Sequence, residues 1–125
     1  MDRHTLRAYC NRKIAAEETF PFDATTLVVK VMGKMFALMG TDTPHDQPQT
    51  LNLKCDPTLA VILRETYSAV IPGYHMNKKH WNTVICDGTI PDAEIIEMID
   101  HSYDLVVKGL KKADREKLQR MIEQE

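Results

Sequence analysis

The sequence predicts an α+β domain in which helices pack against antiparallel strands. Apolar residues recur at helical spacing near both ends of the chain and after residue 56. Between these segments, residues 27–32, 35–39, 51–55 and 80–86 have the two-residue period of strands. No repeat, linker or low-complexity tract divides the 125 residues, so we expect a single domain over residues 1–125.

The helix starts are marked by capping residues. Asp2 is placed to cap the first helix, and Asp56 precedes Pro57 at the start of the second. Pro91 opens the longest helix, and Gly109 interrupts the apolar stripe that follows it. An amphipathic helix ends the chain. These helices supply the apolar faces that an antiparallel sheet needs on one side.

The first hairpin gives the clearest strand signal. Residues 27–32 and 35–39 flank Gly33-Lys34, and a glycine in the first turn position suits a type II′ turn. Such a turn places Val31 opposite Phe36 and fixes the register of both strands. We therefore expect four apolar side chains of this hairpin to face a helix: Val29, Val31, Phe36 and Leu38.

Composition narrows the classes of function. The formal net charge of -2 gives no overall attraction to nucleic acid or anionic lipid, so any such contact needs a local patch. No apolar run reaches the length of a membrane span, and the first residues lack the apolar region of a signal peptide. The three cysteines are widely spaced and odd in number, which is typical of reduced thiols in a cytoplasmic protein. We expect a cytoplasmic protein that does not enter a membrane.

The segment from Pro72 to Val84 concentrates aromatic, histidine, lysine and asparagine residues, including the only tryptophan. We expect a second short hairpin here, with strands at 74–76 and 80–86 and a turn near Asn77-Lys78. Lysines at its tip could meet phosphates, aromatic rings could stack on a base, and asparagines could bond a base edge. Alternatively, Trp81 anchors the hairpin to the core and the lysines are solvated turn residues.

No catalytic or metal-binding signature accompanies this segment. Asp100, His101 and Ser102 are consecutive, but adjacent residues of a helix point in different directions and cannot act as a triad. His75, His80 and Cys86 lack the compact spacing of a zinc site. We therefore expect no enzymatic activity, no metal and no cofactor.

The chain resembles the MmcQ/YjbR family, whose members are predicted to bind DNA and have a double-wing fold. The most specific match is PGYHMNKKHWNTV at residues 72–84. Shorter matches are FPF at 20–22, GKMFAL at 33–38, LKCDP at 53–57, DG at 87–88, PD at 91–92 and IDHSYDLVV at 99–107. Together they cover nearly the whole chain up to Leu110. The segment KKAD at 111–114 departs from the proline-containing junction of the family.

The resemblance implies an antiparallel sheet whose hairpins project as wings, and it implies DNA as the partner. On this basis we expect DNA phosphates to meet a basic and aromatic hairpin, with these contact residues: Lys54, Tyr74, His75, Asn77, Lys78, Lys79, His80 and Trp81. The alternative is a non-enzymatic module that binds a protein or a small anion through the same surface.

Overall fold

An antiparallel six-stranded sheet forms the centre of the molecule, and the helices pack on one of its faces. The computed structural model describes residues 1–74 and 76–125. The helices are α1 (Arg3–Asn11), α2 (Pro57–Thr66), α3 (Asp92–Lys108) and α4 (Lys112–Glu123). The strands are β1 (Ala16–Thr19), β2 (Thr26–Val31), β3 (Lys34–Gly40), β4 (Gln49–Lys54), β5 (Val70–Pro72) and β6 (Trp81–Cys86). The predicted α+β class is confirmed.

The strand order is β1-β2-β3-β4-β6-β5, with every neighbouring pair antiparallel. Strand β4 therefore separates two hairpins, β2–β3 and β5–β6. The large core lies on the helix side of the sheet, where Leu6 of α1, Ile99 of α3 and Leu118 of α4 meet the strands. A smaller cluster on the opposite face joins Val28, Leu38 and Trp81. Within the described residues, no helix is both long and apolar enough to cross a bilayer.

The helix starts follow the capping signals of the sequence. The carboxylate of Asp2 accepts a hydrogen bond from the Thr5 N–H at 2.8 Å. The carboxylate of Asp56 accepts from Thr58 N and Leu59 N, both at 3.1 Å, with Pro57 as the first helical residue. Each cap satisfies backbone donors that the first helical turn leaves without partners.

The predicted register of the first hairpin is wrong. Val31 pairs with Lys34, so the turn residues are Met32 and Gly33, with φ of 49° and 82°. Two positive φ angles define a type I′ turn, which suits a two-residue hairpin as the expected type II′ turn does. A register shift follows at Val29/Lys30.

This register changes the faces of the hairpin side chains. Val29, Val31 and Phe36 lie in the core on the helix side, as predicted. Leu38 pairs with Val28 and lies on the opposite face, where it contacts the Trp81 cluster. The prediction was therefore wrong for Leu38, because both faces of this hairpin are buried and apolar alternation could not select one.

Two further strands differ from expectation. Residues 16–19 form edge strand β1, although the sequence Ala-Glu-Glu-Thr has no apolar alternation. In the second hairpin, the first strand is Val70–Pro72 rather than residues 74–76. The described residues 73–74 and 76–80 lie in the connection between β5 and β6. His75, within that expected strand, lies outside the described residues.

Candidate functional site

Three chain segments meet at one end of the sheet. The pairing of Val31 with Lys34 places the β2–β3 turn at this end, and the pairing of Lys54 with Trp81 brings the end of β4 there. Pro72 pairs with Asn82, so the β5–β6 connection leaves the sheet at the same end. We call this region the basic end, because it carries five lysines: Lys30, Lys34, Lys54, Lys78 and Lys79.

The lysines of the basic end form no salt bridge with a carboxylate of the described residues. Salt bridges between described residues involve the N-terminus, Arg7 and Lys13, but none of these five lysines. Lys34, Lys78 and Lys79 are exposed, whereas Lys30 and Lys54 are half-buried. The loops at the opposite end of the sheet, at 20–25, 41–48 and 87–91, contain aspartates and no lysine or arginine. The basic end also holds two exposed carboxylates, since Glu17 of β1 pairs with Lys30 and Asp56 follows Lys54 closely in sequence. Its five lysines still outnumber them, although the whole chain has a net charge of -2.

The β5–β6 connection is held to the body by hydrogen bonds. The Asn77 carbonyl accepts from His80 N at 3.1 Å and from Trp81 N at 2.9 Å. The Asn77 side chain accepts from Lys79 N at 3.0 Å, which closes the turn. Arg64 of α2 donates to the carbonyls of Lys78 and Trp81. The bonds from Arg64 join the connection to helix α2.

The Lys78 ammonium also bends back toward the body and donates to the Gly73 carbonyl at 3.3 Å. We expected a hairpin tip that lifts the charges of both Lys78 and Lys79 clear of the fold. Instead the turn is folded back. Of these two lysines, only Lys79 has a side chain without a hydrogen bond or salt bridge to a described residue. Both lysines are nevertheless exposed to solvent.

The predicted aromatic contacts divide between surface and core. Tyr74 is 68% exposed, and its backbone N–H donates to the Thr83 hydroxyl at 3.0 Å. Trp81 is only 9% exposed and packs with Val28 and Leu38, as the anchoring interpretation predicts. His80 is half-buried, and its carbonyl accepts from Cys55 N at 2.8 Å. Among the described aromatic residues of this segment, Tyr74 is therefore the accessible ring.

Ser102 lies between strands β3 and β4 near the basic end. Strands β3 and β4 pair only at Ala37–Leu53 and Leu38–Asn52. The buried Ser102 hydroxyl lies beyond these pairs, accepting from Lys54 N at 2.9 Å and donating to the Phe36 carbonyl at 2.6 Å. One hydroxyl thus takes the place of a direct hydrogen bond between β3 and β4.

The three consecutive residues Asp100, His101 and Ser102 have separate partners, as expected for neighbours on a helix. Asp100 accepts from the Tyr9 hydroxyl at 2.7 Å, and this hydrogen bond raises the pKa of Tyr9. His101 Nε2 accepts from Asp56 N at 3.1 Å. These contacts join elements of the fold and form no catalytic relay. Among the described residues, no group of three or more His, Cys, Asp or Glu side chains could hold a metal ion.

Sequence reasoning missed three residues of this region: Lys30, Lys34 and Arg64. Lys30 and Lys34 join the basic end only because the β2–β3 turn lies beside the β5–β6 connection. Their position flanking a turn was a usable signal. Arg64 and Asn82 meet across the fold, with Arg64 Nε donating to Asn82 Oδ1 at 2.7 Å. No local pattern connects these two residues.

Comparison with known proteins gives consistent matches along the chain. The model of the YjbR family matches residues 12–105. The Escherichia coli K12 protein YjbR is 36% identical over 113 residues, which cover 90% of this chain and 93% of the relative. YbdF of E. coli O157:H7 is 35% identical over 125 residues, covering 94% and 98%. The names of these relatives state no activity or ligand.

Solved structures extend the match to the fold. A crystal structure of Deinococcus radiodurans protein DR2400, with domain DUF419, aligns with a TM-score of 0.84 and 43% identity, covering 93% of this chain and 86% of that one. A Pseudomonas syringae protein aligns with a TM-score of 0.71 and 28% identity, covering 84% and 98%. The family model, the relatives and these structures agree: the chain belongs to the YjbR family.

Proposed function

We propose that this protein binds duplex DNA through phosphate contacts at the basic end, without catalysing a reaction. The observation that carries the proposal is the collection of five lysines at one end of the sheet, none of which forms a salt bridge with a described residue. A chain with a net charge of -2 needs such a local concentration to attract a polyanion. The proposal includes a cytoplasmic location, which three widely spaced cysteines without a disulfide support.

The arrangement of the basic end suits a duplex backbone. The turn with Lys34 and the connection with Lys78 and Lys79 lie on two hairpins, with the end of β4 between them. Two projecting hairpins are also what the double-wing resemblance implies. In this proposal the lysines contact phosphates, while Tyr74 and Asn77 lie beside them for contacts to a base or sugar. Trp81 packs against Val28 and Leu38 and thereby anchors the connection to the sheet.

Salt dependence gives a quantitative expectation. Each phosphate contact contributes about -0.9 to the slope of log affinity against log salt concentration. Contacts by all five lysines of the basic end therefore predict a slope of about -4 to -5. Fluorescence anisotropy of a labelled duplex, measured at several salt concentrations, gives both the affinity and this slope.

The decisive variant is Lys78→Ala/Lys79→Ala. We expect weaker binding to every duplex sequence and a slope smaller in magnitude by roughly two, because phosphate contacts carry no sequence information. Lys117→Ala/Arg120→Ala is the matched control, since it removes the same charge from exposed positions of α4. The control should bind DNA as the parent does. If the parent fails to bind at low salt even near millimolar protein, the proposal is wrong. If only the control variant loses affinity, the site lies in the basic segment 108–120.

A protein-binding module is the second candidate, and an exposed apolar patch favours it. Val61 and Ile62 of α2 are 49% and 51% exposed, and Ile71 of the neighbouring edge strand β5 is 39% exposed. Exposed apolar side chains beside an unpaired strand edge suit a protein partner. Binding through this patch would change little with salt, unlike phosphate-led binding.

A further inference from the structure

A half-open cavity of about 230 Å³ lies between helices α2 and α3 and strands β4 and β6. Its walls are mainly apolar, formed by Leu53, Leu59, Leu63, Val84 and Met98. Leu59 and Leu63 of α2 are only half-buried, because the helix does not close against the sheet at this point. For comparison, a dry apolar cavity of about 150 Å³ accepts benzene. The volume here is enough for a substituted aromatic ring.

One polar side chain in the cavity wall lacks a partner. Asn82 is 2% exposed and lies on the same face of β6 as Val84, toward α2 and α3. Its Oδ1 accepts from Arg64 Nε at 2.7 Å, which fixes the orientation of the amide because Arg64 can only donate. Its Nδ2 is buried and has no hydrogen-bond partner within the described residues. A buried donor without a partner is unfavourable, and a ligand oxygen would supply the missing acceptor.

Two carboxylates border the same cavity. Glu94 and Glu97 of α3 contribute to its lining, and neither forms a salt bridge with a described residue. Lys54 also lines the cavity, but its side chain belongs to the opposite face of the sheet, since it pairs with Trp81. His101 is committed to Asp56 N through Nε2. The charged groups available to an occupant are therefore acidic.

We infer that this cavity binds a small organic amine with an apolar body and a carbonyl oxygen. The carbonyl accepts from Asn82 Nδ2, the apolar body fills the space between Leu59, Leu63 and Met98, and the ammonium meets Glu94 and Glu97. The hydrogen bond from Arg64 polarises the Asn82 amide and strengthens Nδ2 as a donor. This inference is independent of DNA binding, because it uses the helix-covered face of the sheet and none of the five lysine side chains of the basic end.

The test uses three aromatic probes and the ¹H–¹⁵N spectrum of the labelled protein. The first, 4-(aminomethyl)benzamide, carries the ring, the carbonyl and the ammonium. Benzylamine lacks the carbonyl, and benzamide lacks the ammonium. We expect the complete probe to bind about tenfold more tightly than either partial probe, as one added hydrogen bond or ion pair would give. The side-chain amide pair of Asn82 should shift on binding, because its Nδ2 gains an acceptor.

Asn82→Asp removes the donor and keeps an acceptor for Arg64. It should weaken the complete probe at least tenfold. Asn52→Asp is the matched control, since it makes the same change in β4 on the opposite face. The control should leave the affinity unchanged. Leu59→Phe narrows the cavity from α2 and should block all three probes, so it decides the question if Asn82→Asp does not fold. The inference is overturned if no probe shifts the Asn82 amide, or if a folded Asn82→Asp variant or Leu59→Phe binds the complete probe as the parent does.

Discussion

Replacing Ser102 with alanine tests how strands β3 and β4 are joined near the basic end. The hydroxyl is fully buried and joins the Lys54 N–H to the Phe36 carbonyl, at 2.9 and 2.6 Å. Alanine removes both bonds and changes little else in side-chain volume. The two backbone groups then face each other across a gap that the missing oxygen had filled.

The expected cost follows from these two backbone groups. A buried donor or acceptor left without a partner costs about 1–3 kcal/mol. Partial relaxation of the strands recovers some of this cost, so we expect Ser102→Ala to lower the free energy of unfolding by about 2–4 kcal/mol. With a urea m-value of about 2 kcal/mol/M, the unfolding midpoint should fall by about 1–2 M.

Urea unfolding followed by circular dichroism measures the change, and amide hydrogen exchange locates it. The Lys54 amide should exchange faster in the variant under native conditions, because it loses its acceptor. Ser68→Ala is the control, since Ser68 is exposed. If the free energies of unfolding of Ser102→Ala and the parent differ by less than about 0.5 kcal/mol, strands β3 and β4 can pair directly and do not need the hydroxyl between them.

Three further predictions concern the core. Trp81→Ala should lower the free energy of unfolding by about 3–5 kcal/mol, because the ring lies buried against Val28 and Leu38; thermal or urea unfolding measures the change. A variant that unfolds like the parent but loses DNA binding would instead show that Trp81 stacks on a base. Gly73→Ala should lower the free energy of unfolding by about 1–3 kcal/mol in the same assay, because the added Cβ would lie 2.8 Å from Trp81 Cβ and 3.0 Å from the Trp81 carbonyl oxygen. An unchanged free energy of unfolding would contradict this close packing. Burial raises the pKa of Cys10 to about 12 and of Cys55 and Cys86 to about 11, whereas the ordinary thiol value is 9.0. In this pH range the folded state keeps thiol protons that the unfolded state loses. The contribution of these thiols to the free energy of unfolding should therefore be fully present below pH 9.0 and be lost as the pH rises through about 11–12. Urea unfolding of the parent and of Cys10→Ala across this range measures the effect, and equal pH dependence in the two proteins would show that Cys10 does not contribute.

The sequence by itself determined features that depend on neighbouring residues. Asp2 and Asp56 cap helices because their carboxylates reach backbone donors two or three residues ahead, whatever the rest of the fold does. Pro91 and Gly109 mark the ends of α3 for equally local reasons. The family resemblance also came from the sequence, and the family model and relatives confirm it.

Only the tertiary structure decided features that depend on distant residues. The faces of the first hairpin were undetermined because Val28 and Leu38 are buried on one side while Val29 and Val31 are buried on the other. Apolar alternation specifies a register only where one face is polar.

The candidate site also depends on residues that are distant in sequence. Lys34, Lys54 and Lys79 come from three separate parts of the chain and share one end of the sheet because of strand order. The pairs Arg64–Asn82 and Ser102–Lys54 also join residues far apart in sequence. Spacing along the chain contains no information on such contacts, since they exist only after the helices have packed on the sheet.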